Sequence, residues 1–129
     1  MSTPSRDTVE TTIRAYFAAI RALDREAWVS TFAVDAVTFD PADAPPTRGH
    51  AELGLFFDRI TGLVKTIGLH EDHVFVNGNE AAVKWTGRGV GPRGNDYSFE
   101  GVDVFEFDTR GKIARLRAYW NPETLLAQL

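Results

Sequence analysis

Apolar positions in the first half of the chain recur at helical spacing. Val9, Ile13, Tyr16, Phe17 and Ile20 fall three and four residues apart and form one stripe. Asp24 is placed to cap a second helix carrying Trp28, Val29 and Phe32. A short strand is expected over 36–40, stopped by Pro41, which has no backbone donor. A third helix starts near Gly49 and carries Leu53, Phe56, Phe57, Ile60, Leu63 and Val64. In the second half the pattern changes to strands. Segments 73–76 and 81–90 flank Asn77-Gly78, a tight-turn signal, and segments 97–107 and 112–120 flank Asp108-Thr109-Arg110-Gly111. Helices first and antiparallel hairpins after them define an α+β class. The expected unit is one domain over 1–129, with the helices packed on one face of a curved sheet.

Composition narrows this only a little. A chain of 129 residues has room for one domain, and 43% hydrophobic residues suffice for a core. The formal charge of -4, from 18 acidic and 14 basic residues, argues against a nucleic-acid partner. With no cysteine, disulfides, thiolate metal sites and a Cys nucleophile are excluded. No apolar run approaches the roughly 20 residues that span a bilayer. Residues 1–10 lack the pattern of a signal peptide, so a cytoplasmic location is expected.

The informative chemistry lies where polar groups interrupt apolar faces. On the strand over 97–107, alternate residues share a face, and one face carries Tyr97, Phe99, Gly101, Asp103, Phe105 and Phe107. Asp103 is then a carboxyl group set among rings. Burial makes a bare carboxylate costly, so the group must be paired or protonated, and protonation turns it into a donor. Tyr16 is the one hydroxyl-bearing residue on the stripe of the first helix, and Asp40 ends a strand at the mouth of a breaker-rich loop over 40–49. Each has an ordinary reading by itself. Asp103 can cap a loop or bridge to an arginine, Tyr16 can be a core tyrosine, and Asp40-Pro41 can be a simple turn. Together they fit a proton-transfer site, with one ionised carboxylate as base and two neutral donors for an enolate oxygen.

Other clusters carry less. His70 and His73 are expected in a passage from loop to strand with no matching ligand pair, and His50 at a helix start near the surface, so no metal site is expected. Ser30 and Ser98 lack a nucleophile-elbow motif. Gly87, Gly89, Gly91 and Gly94 lack the Lys-Ser/Thr of a phosphate loop and instead let a sheet bend. Lys84, Thr86, Arg88, Glu100, Glu106, Arg115 and Arg117 fall on outward strand faces, as a solvated, salt-bridged surface or a polar dimer interface.

At these residues the chain resembles the ketosteroid isomerase family, within the nuclear transport factor 2-like (SnoaL-like) superfamily. The segment 32–41, ending Thr38-Phe39-Asp40-Pro41, is similar to the family segment that ends in its catalytic Asp. Tyr16 stands where the family has its oxyanion-hole Tyr, and Gly101-Val102-Asp103-Val104-Phe105 is similar to the strand bearing the protonated Asp. The run from Gly111 to Trp120 resembles the last strand, with Trp120 a pocket aromatic of some members. The resemblance implies a cone-shaped curved antiparallel sheet with three helices on its concave face, enclosing an apolar pocket. It implies a cofactor-independent steroid Δ-isomerase activity, with Asp40 as base and Tyr16 and Asp103 as oxyanion donors. The pocket lining is expected to include Trp120, Phe57, Phe99, Phe105 and Leu116, and the partner a second copy paired through the sheet. Two departures stand out. Phe32 and Phe57 occupy positions where some members carry supporting tyrosines, and the loop over 42–46 carries Asp43, a rival carboxylate, with Pro45 and Pro46. The altered loop keeps two alternatives open: a SnoaL-type cyclase or hydratase on another polycyclic substrate, and a non-catalytic carrier of apolar ligands.

Overall fold

The computed structural model describes residues 3–129. Helix α1 spans Arg6–Arg21, with the Ser5 side chain accepting from the Thr8 amide at 3.1 Å. This satisfies one of the donors left free at a helix start. Its stripe of Val9, Ile13, Tyr16, Phe17 and Ile20 is buried, as the spacing requires. Asp24 caps α2, Arg25–Val29, by accepting from the Ala27 amide at 3.0 Å. Phe32 does not belong to that helix. The chain leaves α2 at Ser30 and enters strand β1, Phe32–Phe39, four residues earlier than the alternation suggested. Strand β2, Thr47–Arg48, pairs with β1 and leads directly into α3, Gly49–Thr61, so Leu63 and Val64 lie beyond the helix end.

Four long strands follow: β3, Thr66–Asn77; β4, Glu80–Val90; β5, Asp96–Phe107; and β6, Ile113–Tyr119. Strand β3 begins seven residues before the expected start at 73, so His70 and His73 lie within it, and both are exposed. The sheet order is β2-β1-β6-β5-β4-β3. All neighbouring pairs are antiparallel except β1 with β6, which run parallel, so the sheet is mixed rather than purely antiparallel. That pairing joins the two halves of the chain. It aligns Phe39 with Arg117, which brings the end of β1 to the end of β6. A fourth, short helix α4, Pro122–Leu126, opens with Pro at its first turn and packs by Leu125 near β5.

The result is an α+β cone: a curved, unclosed six-stranded sheet with helices over its inner face. Val9, Phe17, Leu53, Phe105 and Ile113 are fully buried between the layers. Each large side chain of this kind stabilises the fold by about 1.5–3 kcal/mol. No helix among the described residues is long and apolar enough to cross a membrane.

Candidate active site

Strand β5 shows how the fold makes a polar site inside an apolar core. Its inner face is Tyr97, Phe99, Gly101, Asp103, Phe105 and Phe107, as the alternation predicts. Both interruptions face Trp85 on β4. Gly101 is the direct cross-strand partner of Trp85, and a Cβ at Gly101 would stand 2.5 Å from the Trp85 ring. Asp103 pairs with Val83, so Trp85 is its diagonal neighbour on the same face. From there the Trp85 indole N–H donates to Asp103 Oδ1 at 3.0 Å. Glycine makes room for the indole, and the indole meets the acid.

Asp103 is 2% exposed. Burial pushes its carboxyl well above the usual range, the nearby Asp40 charge pushes the same way, and the Trp85 hydrogen bond opposes both. The balance favours the protonated form over the carboxylate. Because Oδ1 accepts from an indole that can only donate, a proton on this carboxyl belongs on Oδ2.

Asp40 follows β1 directly and is half-buried, joined to Pro41 by a cis peptide bond. Trp120, just past β6, donates its indole N–H to Asp40 Oδ1 at 2.6 Å. The parallel β1–β6 pairing sets up this contact. Protein atoms surround the carboxyl even though the residue keeps some exposure. Burial raises it from 3.8 to about 6, with the Trp120 hydrogen bond pulling down. A value near 6 leaves Asp40 mostly ionised at pH 7.

Tyr16 is 3% exposed, with the Phe105 ring edge-on at 5.2 Å. Burial, then the Asp103 and Asp40 carboxyls, push its phenol well above 10. It is a neutral donor at any ordinary pH.

These three groups come from a helix, a strand end and a mid-strand position, and all line one cavity of about 60 Å³. Phe57, Phe99 and Trp120 line it too. Phe105 and Leu116 do not. They are direct partners across β5 and β6, one step beyond the Asp103–Ala118 pair, and both are fully buried behind the site. Ala118 takes the lining position on β6. Asp43, the rival carboxylate, is exposed and faces a separate open recess with Glu100 and Glu123. His50 is held by the Phe32 carbonyl, its Nε2 at 2.9 Å from that oxygen. Among the described residues no three His, Asp or Glu side chains cluster as metal ligands.

Sequence reasoning missed Trp28 and Trp85 as site residues. Trp85 carried a usable signal, since an indole two residues from the partner of a buried Asp is within diagonal reach. Trp28 carried none beyond its helical phase, which reads as core. Phe32 and Phe57 pack on Trp28 at 4.8 and 5.3 Å between ring centres, so no chain of tyrosine hydroxyls supports Tyr16.

Residues 13–116 match the SnoaL-like domain, and the chain belongs to that family. Among characterised relatives, the steroid Delta-isomerase of Nocardioides simplex is 27% identical over 115 residues, covering 88% of this chain and 90% of that protein. Among solved structures, the epoxide hydrolase/cyclase-like enzyme SalBIII, described in pyran ring formation of the polyether salinomycin, superposes with a TM-score of 0.82. It is 21% identical, with 93% of this chain and 95% of SalBIII covered. A protein of unknown function with a cystatin-like fold from Methylobium petroleophilum PM1 superposes with a TM-score of 0.76 at 23% identity, over 92% of this chain and 78% of its own. At these identities the two structures speak for the fold.

Proposed function

We propose that the protein is an isomerase that moves a proton within an apolar β,γ-unsaturated ketone of steroid type. The observation that carries this reading is that Asp40, Asp103 and Tyr16 line one apolar cavity, where burial pushes both carboxyls up. In the first step the Asp40 carboxylate takes the acidic proton from the carbon between the carbonyl and the double bond. The C–H electron pair moves into the conjugated system, and negative charge collects on the ketone oxygen. Tyr16 and Asp103 donate hydrogen bonds to that oxygen. In the second step Asp40 returns the proton to the γ-carbon, and the conjugated ketone forms. Atoms and charge balance without a cofactor or an outside reagent.

The electrostatics suit this sequence. A cationic donor would be costly in such a lining, whereas a phenol and a neutral carboxylic acid supply protons without charge. A base poised near pH 6 is strong enough to act and is still ionised at neutral pH. The cavity itself is small. About 60 Å³ holds a few waters, whereas ligand pockets run to about 300–1,000 Å³. The half-exposed lining residues, including Asp40, Phe56, Ile60 and Trp120, mark the mouth that must widen for a polycyclic ligand. The same reading includes a homodimer through the outer sheet face, where Val102 and Tyr119 stand 37% and 49% exposed.

Mixing the protein with a β,γ-unsaturated 3-ketosteroid and following the ultraviolet absorbance of the conjugated enone tests the chemistry. Turnover is expected, and Asp40→Asn should lower it about 10²–10⁴-fold, the usual worth of a general base. Turnover that survives Asp40→Asn removes Asp40 as the base. A protein that binds 2-naphthol but turns over no enone belongs with the cyclases or carriers instead.

A further inference from the structure

The chain has three tryptophans, and each stands against one of Tyr16, Asp40 and Asp103. Trp120 donates to Asp40 at 2.6 Å and Trp85 to Asp103 at 3.0 Å. Trp28 stands beside Tyr16, with ring centres 5.8 Å apart, and lines the same cavity. Its indole N–H differs from the other two. Among the described residues it is the one buried side-chain polar atom with no hydrogen-bond partner. Trp28 is 2% exposed, so no bulk water relieves it.

An orphaned buried donor is costly, and folded proteins keep few of them. Phe32, Phe56 and Phe57 enclose the Trp28 ring and offer no acceptor. The Tyr16 oxygen is the polar group beside it. The indole lies near enough to favour the ionised phenol, but it makes no hydrogen bond to the Tyr16 oxygen.

We propose that Trp28 is a positioning residue for Tyr16: its indole N–H donates to the Tyr16 oxygen when a ligand oxygen draws the Tyr16 proton into the cavity. The inference rests on the isomerase reading for its catalytic consequence, but not for the contact itself. An indole can only donate, whereas a tyrosine can donate or accept. With Trp28 as neighbour, the Tyr16 hydroxyl has one useful orientation, toward the ligand. A hydrogen bond received at its oxygen also makes the Tyr16 O–H a stronger donor as charge develops on the substrate. The chain thereby does with an indole what a second tyrosine hydroxyl would otherwise do, at a site where Phe32 and Phe57 supply none.

The indole N–H signals of the ¹⁵N-labelled protein and of Tyr16→Phe test the contact, each recorded with and without 2-naphthol. Tyr16→Phe keeps the ring and removes only the oxygen. The Trp28 indole proton should move upfield in the 2-naphthol-treated variant relative to the wild type, while the Trp85 and Trp120 signals stay. A Trp28 signal that is the same in both proteins under both conditions overturns the proposal, whether or not any enone is turned over. Absence of enone turnover in the wild type, by contrast, overturns only the isomerase reading. Where turnover exists, Trp28→Phe should lower kcat about tenfold with KM little changed. Benzothienylalanine at position 28, which replaces only the N–H by sulfur and keeps the shape, should reproduce that loss. Full kcat with this isostere also overturns the proposal.

Discussion

Asp103 and Asp72 are the same residue type on the same sheet, with opposite fates. Asp72 stands on the outer face, where the Thr86 hydroxyl and Lys84 ammonium hold its carboxyl below the usual range. Lys84 also reaches Glu100 at 3.1 Å, so the outer face is a small solvated charge network. Asp103 stands on the inner face, where its partner is an indole and its pKa is pushed far up. The difference comes from the alternation of strands. Glu100 and Asp103 are three residues apart on β5, and that odd separation puts one in water and the other among rings. One sheet therefore lowers the pKa of a carboxyl outside and raises that of another inside, and only a carboxyl that keeps its proton can donate to an anion.

The strongest way to break this comparison is to remove the inner donor. Asp103→Leu should lower kcat/KM about 10²–10³-fold, the cost of an oxyanion-hole donor. Asp103→Asn should cost far less, about tenfold, because its amide imitates the neutral acid: Oδ1 still accepts from Trp85 and Nδ2 still donates to the ligand. Steady-state kinetics of the two variants decide the matter. If Asn is as damaging as Leu, Asp103 does not act as a neutral donor.

Asp40 sharpens the comparison through pH, with stability and activity moving in opposite directions. Its folded value of about 6 exceeds the ordinary 3.8. Between these pH values the folded state binds more protons than the unfolded state, so stability falls as pH rises through the window. The loss is about 2 kcal/mol once partial exposure is allowed for. Asp40→Asn should therefore be more stable than the native protein near pH 7 and no more stable below about pH 4, as denaturant titration would read. Activity runs the other way: kcat/KM of the native protein should rise with pH and reach half its plateau near pH 6. An Asp40→Asn variant that is less stable at pH 7 would show that the carboxylate is not held against its solvation.

The same two faces explain what was legible in the sequence. The stripe of α1 and the inner face of β5 were plain because one period runs unbroken through each, and Asp103 stood out as a break in the second. The early part of β3 was hidden because Gly68, His70 and Glu71 blur its alternation and the register shifts between Glu71 and His73. Phe32 continues the helical spacing of Trp28 and Val29 because β1 starts within three residues of α2, leaving no turn signal between them. The parallel β1–β6 contact, and with it Trp120 on Asp40, could not be read locally, since it joins residues 80 apart in sequence. Of the site, the polar groups were visible as interruptions, but their indole partners were not. An apolar residue on an apolar face raises no flag, even when its N–H is what matters.

The smallest expected effect is the sharpest control on the comparison. Lys84→Met keeps most of the stem and removes the charge that ties Asp72 to Glu100. These bridges lie at the solvent face, with Lys84 32% exposed, and such bridges contribute little because solvent and salt screen them. The variant should melt close to the native protein, and its small difference should vanish at high salt. Its kcat/KM and the pH midpoint near 6 should not move, because Lys84 is on the far side of the sheet from Asp40. A midpoint that shifts with Lys84→Met would mean that outer charge reaches the inner carboxylate through the sheet. The two faces would then be one electrostatic system, and the high value of Asp40 could no longer be assigned to burial alone.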